Sequence, residues 1–292
     1  MSAAPATLAA PARVAATATT AIPLRRRLGS SRWVVLGTQL AIVVVLLAAW
    51  EGMVDAKVLD PLLYGQPSKV VEQLWYWISQ GTPNGSLGEQ IGITLLEALI
   101  GFVIGTVLGI VFGVGLGRVA FLARVFGPFI KVVNAIPRIV LGASFIVMFG
   151  LGLLSKVMLV IVLVFFGVFF NAFQGTREVD KNFIANAQIL GASPWQVTTR
   201  VVIPSAFSWI IASLHVAFGF ALIGAIVGEF LGSQAGLGNL IRQAQGTLNQ
   251  NAIWAAMLIM AVIALLAEWL ITRLEHRLLR WRPPQQSAGA EA

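Results

Sequence analysis

Six long apolar segments constrain this chain more than any other feature. They cover residues 33–50, 91–116, 129–149, 153–170, 207–231 and 253–271. A helix needs about 18–20 mostly apolar residues to cross the hydrocarbon core of a bilayer, and each segment reaches that length. Only 11% of the 292 residues are charged, whereas soluble domains carry roughly 25%. We therefore predict an all-α membrane protein with six transmembrane helices, and a water-soluble enzyme is nearly excluded.

The basic residues predict how these helices are oriented. The chain carries 20 Lys and Arg against 12 Asp and Glu. If the N-terminus is cytoplasmic, 15 of the 20 basic residues fall in cytoplasmic segments, four fall outside, and Arg138 lies within a span. Cytoplasmic loops of membrane proteins carry an excess of Lys and Arg, so we predict cytoplasmic N and C termini. The net charge of +8 then orients the chain and does not indicate a nucleic-acid partner.

The segments outside the spans complete the domain organisation. Residues 1–32 contain no acidic residue and are predicted to be a disordered cytoplasmic tail, with an organelle transit peptide as the alternative. Residues 33–53 are predicted to be an uncleaved anchor helix, because no A-x-A cleavage site precedes Glu51. Residues 54–90 form an outer loop, in which PSKVVEQLWYWI is predicted to be a helix on the membrane surface. The rest of the chain is predicted to form a five-helix core at 91–274, which includes a cytoplasmic loop at 174–204. A cytoplasmic tail follows at 275–292.

The long cytoplasmic loop has strong helix start and stop signals within NFIANAQILGASPWQVTTRVVIPSA. A first helix is predicted to end at Gly191, because glycine readily takes the positive φ of a helix C-terminus. Ser193 is a good N-cap, Pro194 suits the first helical position, and Gln196 completes an S-x-x-Q capping box. Pro204 marks the start of the fifth span. We predict two short helices that meet at a glycine turn and receive a push from a soluble partner.

Ionisable residues inside membrane spans are rare and commonly have a function, so each one in this chain is a candidate functional residue. Arg138 has two possible roles: a packing ion pair, for which Glu268 is the candidate partner, or attraction of an anionic solute. Glu97 and Glu229 fall toward the outer ends of their spans. His215 is interpreted as a hydrogen-bonded packing residue. No metal site and no catalytic residue are predicted, because no ligand spacing supports a metal and the chain contains no cysteine.

Glycine recurs at every fourth position of the second span. Such spacing leaves a stripe without side chains on one helix face, and another helix backbone can approach it closely. We interpret the stripe as a helix-packing surface formed by Gly101, Gly105, Gly109 and Gly113.

The cytoplasmic loop resembles the "EAA" loop of binding-protein-dependent ABC transporter permeases, E-A-A-x3-G-x9-I-x-L-P. The family positions from the glycine onward correspond to Gly191, Val201, Ile203 and Pro204, whereas Ala185-Asn186-Ala187 replaces E-A-A. NAIPRIV, FGLGLLSK and VGEFLGSQAGLGNLI are similar to the nitrate/sulfonate/taurine-type branch, and the resemblance covers roughly residues 60–280. VLGASFIVMFG departs from that branch, which usually has a second proline there.

The resemblance implies a type I ABC importer permease in the bacterial inner membrane. It implies that a separate ATPase subunit, in two copies, binds ATP and Mg, while this chain binds no cofactor; accordingly, the chain lacks a G-x-x-x-x-G-K-[ST] phosphate loop. A second permease subunit, a periplasmic binding protein and membrane lipid are the other partners, and a sulfonate-, taurine- or nitrate-like anion is the expected solute. The implied ATPase-coupling residues are Ala185, Asn186, Ala187, Leu190, Gly191, Ala192, Ser193, Pro194, Trp195 and Pro204. The candidate pathway or gate residues are Arg138, His215, Glu229, Gly236 and Gly238.

Two other function classes fit the sequence less well. A secondary transporter is commonly built from repeated halves, and six spans show no duplicated half. An intramembrane serine protease would use Ser144 of Gly142-Ala143-Ser144 with His215 as its base, since a serine nucleophile needs a base within hydrogen-bond reach.

Overall fold

The computed structural model describes residues 32–278, so the predicted tails at 1–32 and 275–292 lie almost wholly outside the described residues. Within this range the chain is α-helical, and its β structure is one isolated bridge between Thr82 and Gly85. The helices are α1 Arg32–Asp55, α2 Pro61–Tyr64, α3 Pro67–Ser79, α4 Leu87–Arg118, α5 Ala120–Ala135, α6 Leu141–Phe149, α7 Leu153–Arg177, α8 Lys181–Ile189, α9 Pro194–Val197, α10 Ile203–Gly232, α11 Leu237–Gly246 and α12 Gln250–Leu278.

The chain divides into two compact units, residues 1–49 and 50–292. The described part of the first unit is the greater part of α1, which covers the predicted anchor and has no charged residue between Trp33 and Ala49. The last turns of α1, from Trp50, belong to the second unit. With 24 residues, α1 is about 36 Å long and can cross a bilayer.

The core of the second unit lies between α4, α7 and α10. The glycine stripe of α4 faces α7, and a Cβ at Gly109 would lie 2.8 Å from Val168 Cβ. Most of the buried side chains between the three helices are small or β-branched, which allows their backbones to approach closely. This buried cluster comprises Ala98, Val160, Val164, Val168, Ala217, Phe218, Ala221, Leu222 and Ala225.

The prediction of one continuous third span at 129–149 is wrong. The helix begins earlier, at Ala120, and breaks after Ala135; a 3-10 turn at Arg138–Val140 then leads into α6. The two helical segments are bent by 72° at the break. Pro137 has no N–H to donate and disfavours a helical conformation at the residue before it, which accounts for the break. The described chain thus has five helices long and apolar enough to span a membrane, and a sixth crossing if the bent pair is one span.

The outer segments form a second cluster. Val70 and Trp77 of α3 are buried against Leu240 of α11 and Ala255 of α12. Leu74 packs partly against the same cluster, whereas Val71, Trp75 and Ile78 are 64%, 68% and 64% exposed. The helix therefore has two apolar faces, and its place on the membrane surface stays a prediction. Sequence reasoning did not predict α11.

A π-helical turn at Thr198–Val202 joins α9 to α10. Helical structure therefore runs without interruption from Pro194 to Gly232, over 39 residues. The predicted fifth span at 207–231 lies within α10. The short cytoplasmic helix and the membrane helix are therefore one continuous element.

Candidate functional site

The cytoplasmic loop folds into two short helices, α8 and α9, that meet at Gly191; we call residues 181–202 the elbow. Gly191 has φ of +79°. Its N–H donates to the Gln188 carbonyl oxygen (2.9 Å), and the Ala192 N–H donates to the Ala187 carbonyl oxygen (3.0 Å). These two bonds are the Schellman arrangement that satisfies the last carbonyls of a helix. The predicted glycine turn is confirmed.

The second helix of the elbow begins with the predicted capping box. The Gln196 N–H donates to Ser193 Oγ at 3.3 Å, and the Ser193 N–H donates to Gln196 Oε1 at 2.8 Å. Arg118, at the end of α4, donates from Nε to the Thr198 hydroxyl at 3.0 Å. This bond ties the elbow to a second membrane helix. The sequence did not indicate it, because residues 118 and 198 are brought together only by tertiary structure.

The elbow is apolar on both sides, and only one side is covered. Val179, Val197 and Val202 are buried beneath it. On the other side Ile189 and Leu190 are 82% and 86% exposed. All residues of the predicted coupling set are exposed or half-buried, namely Ala185, Asn186, Ala187, Leu190, Gly191, Ala192, Ser193, Pro194, Trp195 and Pro204. A cleft of about 380 Å³ lies between α8 and the start of α10, lined by Phe183, Leu190, Arg200 and Pro204 among others.

A buried hydrogen-bond network surrounds Glu229 near the outer end of α10. Glu229 accepts from the Thr94 hydroxyl (2.7 Å) and from the Gly238 N–H (2.7 Å) through different carboxylate oxygens. The Gly236 N–H donates to Gln90 Oε1 at 2.8 Å. Residues 233–238 are thereby held against α4. Gly236 has φ of +96°, and a Cβ there would overlap the Glu229 carboxylate, so the loop requires glycine at this position.

Glu97 and Lys156 complete this network from α4 and α7. Glu97, Lys156 and Glu229 are 3%, 2% and 0% exposed, and Glu97 faces both other groups. The Lys156 ammonium donates to the Leu151 carbonyl oxygen. No carboxylate of the described residues lies within ion-pair distance of the Lys156 ammonium, and Glu97 Oε2 has no hydrogen-bond partner in the described structure. Burial of this kind gives the cluster a packing role, and the gate role of Glu229, Gly236 and Gly238 stays a prediction.

The structure does not bring Arg138 and Glu268 together, so the hypothesis of an ion pair between them is wrong. Glu268 instead contacts His215 Nδ1 at 2.8 Å, and Glu275 contacts His215 Nε2 at 3.0 Å. Arg138 donates to Asn134 Oδ1. Its guanidinium lies 4.9 Å from the centre of the Phe166 ring, within cation–π range.

Both ring nitrogens of His215 are thus occupied by carboxylates. Among residues 32–278, His215 makes no hydrogen bond to Ser144, so the serine that a protease would use lacks that base. The same described range contains no group of three or more His, Asp and Glu side chains that could hold a metal ion.

Comparison with known proteins assigns the chain to a family. The family model of binding-protein-dependent transport system inner membrane components matches residues 105–280, from the middle of α4 beyond the end of α12. The chain belongs to this family. It is a multi-pass inner-membrane protein and a permease subunit, and ATP hydrolysis belongs to a separate subunit of such transporters. The secondary transporter and protease alternatives are set aside on this ground.

Individual proteins that are similar to this chain are also permeases of ABC transporters or parts of such transporters. The chain is 32% identical over 259 residues to the riboflavin transport system permease protein RibX of Chloroflexus aurantiacus, covering 89% of this chain and 95% of that protein. It is 27% identical to the taurine transport system permease protein TauC of Escherichia coli, covering 81% and 86%. An inward-facing structure of the MetNI methionine ABC transporter matches 66% of this chain and 94% of its own with a TM-score of 0.57 at 20% identity, which shows the fold alone.

Proposed function

We propose that this permease passes a small solute across the membrane by alternating access driven by a separate ATPase subunit, with the elbow as the contact that couples the two. Two copies of the permease and two of the ATPase would form the transporter, and a periplasmic binding protein would deliver the solute. The observation that carries the proposal is the exposed apolar surface of the elbow. Exposed apolar patches of this kind mark protein-interaction sites.

The construction of the elbow supports a mechanical role. Its buried valines fix α9 against the turn that leads into α10, and helical structure is continuous from Pro194 to Gly232. The Arg118–Thr198 bond adds α4 to the same connection. A push on the exposed tip would therefore move the inner ends of two membrane helices together. Alternating access needs such coordinated movement of helices around a solute site.

A charge placed at the tip tests the coupling role. Leu190→Asp puts a carboxylate on a side chain that is 86% exposed, so folding should be unaffected while an apolar contact to the ATPase is lost. Loss of a central apolar contact commonly costs about 2 kcal/mol. We expect poor co-purification of the ATPase and little ATP-driven uptake in proteoliposomes.

Gln188→Asp is the matched control, because Gln188 is also exposed, lies two residues earlier on α8 and is not apolar. It should retain assembly and uptake. Full uptake by Leu190→Asp would refute the coupling assignment, and equal loss in both variants would show that negative charge alone, and no specific contact, is responsible.

The solute class is inferred from Arg138. This residue lies at the break between α5 and α6 and has no carboxylate partner in the described part of the chain. Charged residues within membrane segments commonly face water-filled cavities and mark solute pathways. The name of the taurine permease relative refers to a sulfonate, which fits a cation here. We infer an anionic solute of the sulfonate type that passes Arg138.

Uptake of radiolabelled taurine and of riboflavin by the reconstituted transporter tests this inference. Arg138→Gln should lower taurine uptake at least tenfold, and Arg138→Lys, which keeps the charge, should restore part of it. Normal taurine uptake by Arg138→Gln would end the anion role. Uptake of riboflavin alone by the wild type would replace the sulfonate assignment.

An outer groove is the proposed dock for the binding protein. It encloses about 770 Å³ between α3, α11 and the start of α12, and its polar lining includes Lys69, Gln73, Gln243 and Asn249. Gln243→Trp, which fills the groove, should weaken stimulation of ATP hydrolysis by the cognate binding protein without changing the basal rate. Unchanged stimulation would place the dock elsewhere on the outer face.

A further inference from the structure

A cleft of about 440 Å³ lies between α5 and the cytoplasmic end of α7. We call it the basic cleft. Three cationic side chains and three phenylalanines line it: Arg124, Lys131, Arg177, Phe169, Phe170 and Phe173. These residues belong neither to the elbow nor to the proposed solute site at Arg138.

The charge of the basic cleft is unbalanced. Its lining contains no acidic residue, and across residues 32–278 none of its three cations lies within ion-pair distance of a carboxylate. Arg177 instead lies 5.4 Å from the centre of the Phe173 ring. Three cations that line one cleft repel one another, and an anion bound among them would relieve this repulsion.

Helix geometry explains why these cations share one cleft. In the predicted topology α5 begins and α7 ends at the cytoplasmic side, and side chains tilt toward the N-terminus of their own helix. Lys131 on α5 therefore tilts toward the cytoplasmic side, while Arg177 at the end of α7 tilts back over Phe173. Gly127 lies between Arg124 and Lys131 on α5, and a Cβ there would meet nothing within 4 Å. The absence of a side chain at this position opens the cleft.

We propose that the basic cleft binds an anionic phospholipid of the cytoplasmic leaflet, with its phosphate among the three cations and the start of an acyl chain on the phenylalanine rings. The depth of the cleft in the membrane fits a lipid of the cytoplasmic leaflet, because α7 ends at Arg177 on the side where the predicted orientation places the cytoplasm. Basic pockets between membrane helices on this side are suited to anionic headgroups. The apolar floor favours a lipid over a small hydrophilic anion, which gains nothing from three phenyl rings.

Lipid retention by the purified full-length permease tests the proposal. Phosphatidylglycerol and phosphatidylcholine with the same acyl chains are titrated into the detergent-solubilised protein, and bound lipid is counted by native mass spectrometry. The wild type should prefer phosphatidylglycerol. Lys131→Gln and Arg177→Gln should each lower its affinity about fivefold, as expected for one basic residue near a lipid phosphate.

Two further variants separate the cleft from general charge and from misfolding. Arg273→Gln removes a cation from α12, where Arg273 lies 4.4 Å from the centre of the Trp269 ring, and it should leave retention unchanged. Gly127→Leu fills the cleft without altering charge and should lower phosphatidylglycerol retention as far as the Gln variants do. If Arg273→Gln lowers retention equally, the lipid preference is non-specific and the proposal fails.

Soluble glycerol phosphate distinguishes the lipid from a free anion. It should displace phosphatidylglycerol only weakly, because it lacks the acyl chains that the phenylalanines would contact. Displacement at concentrations equal to those of the lipid would identify the basic cleft as a site for small oxyanions and overturn the lipid assignment. Equal retention of both lipids by the wild type would overturn it as well.

Discussion

At the scale of single residues, Glu229 does the most to shape the outer part of the fold. Its two carboxylate oxygens join the Thr94 side chain to the backbone at Gly238, and none of its surface is exposed. Burying a carboxylate is costly unless it is hydrogen-bonded and paired. The hydrogen bonds meet the first condition, whereas the Lys156 ammonium lies beyond ion-pair distance of Glu229. The hydrogen bonds of Glu229 thus hold the loop at Gly238 against α4.

Two substitutions at Glu229 should differ in their effect. Glu229→Ala removes both acceptors and leaves buried donors unsatisfied, which should lower the free energy of unfolding by about 2–4 kcal/mol. Glu229→Gln should cost less, because its oxygen can accept from Gly238 while its amide donates to Thr94 Oγ1. Thermal unfolding in detergent measures both. If the two variants are equally unstable, the negative charge itself is required, and the hydrogen-bond explanation is wrong.

Residue-scale signals were only partly predictable from sequence. The turn at Gly191 and the Ser193–Gln196 capping box could be predicted because their partners lie within five residues along the chain. The joining of Glu97, Lys156 and Glu229 could not, since they come from three helices whose relative rotation is set by packing. The same reason explains the wrong partner for Arg138: similar depth in the membrane does not decide which faces meet.

At the scale of elements, the contact of α4 with α7 depends on its glycine stripe. All four predicted glycines are buried. At Gly109, an added Cβ would lie 2.8 Å from Val168 Cβ and 3.0 Å from the Phe165 carbonyl oxygen. Backbone on one side and a β-branched side chain on the other leave little freedom to relax, because χ1 of valine is strongly restricted in helices.

A matched pair of alanine substitutions tests the stripe. Gly109→Ala should force α4 and α7 apart and lower stability by about 1–3 kcal/mol, the usual cost of overpacking. Gly115→Ala lies on the same helix, where an added Cβ meets nothing within 4 Å, and it should be neutral or slightly stabilising. Thermal unfolding of the two variants compares them directly. Equal stability would mean that α4 moves away from α7 without cost.

The length of the apolar segments predicted most of the long helices well, but it did not predict where the backbone bends. Five of the six segments lie within single helices of sufficient length. The exception contains Pro137, where the sequence is apolar enough to span but the backbone cannot continue as a helix. Apolar content reports which solvent a segment prefers, whereas the path of the backbone depends on its hydrogen bonds.

At the scale of the whole molecule, charge asymmetry predicts a testable topology. The chain has no cysteine, so single-cysteine variants carry one reactive thiol each. Ser79→Cys at the end of α3 should react with a membrane-impermeant maleimide in right-side-out vesicles. Gln188→Cys in the elbow should react only after permeabilisation. Both side chains are exposed in this chain, and vesicles that lack the ATPase subunit keep the elbow uncovered. Labelling in the opposite pattern would invert the topology.

The bend at Pro137 has a consequence for how this protein is made. Helix α6 has nine residues and is about 14 Å long, less than half of a bilayer's hydrocarbon thickness. Only three residues separate it from α7. Because α6 is too short to cross the hydrocarbon core by itself, we expect that it is not held in the lipid until α7 follows. The two would then enter the membrane together as a hairpin, so biosynthesis of the third crossing depends on the fourth.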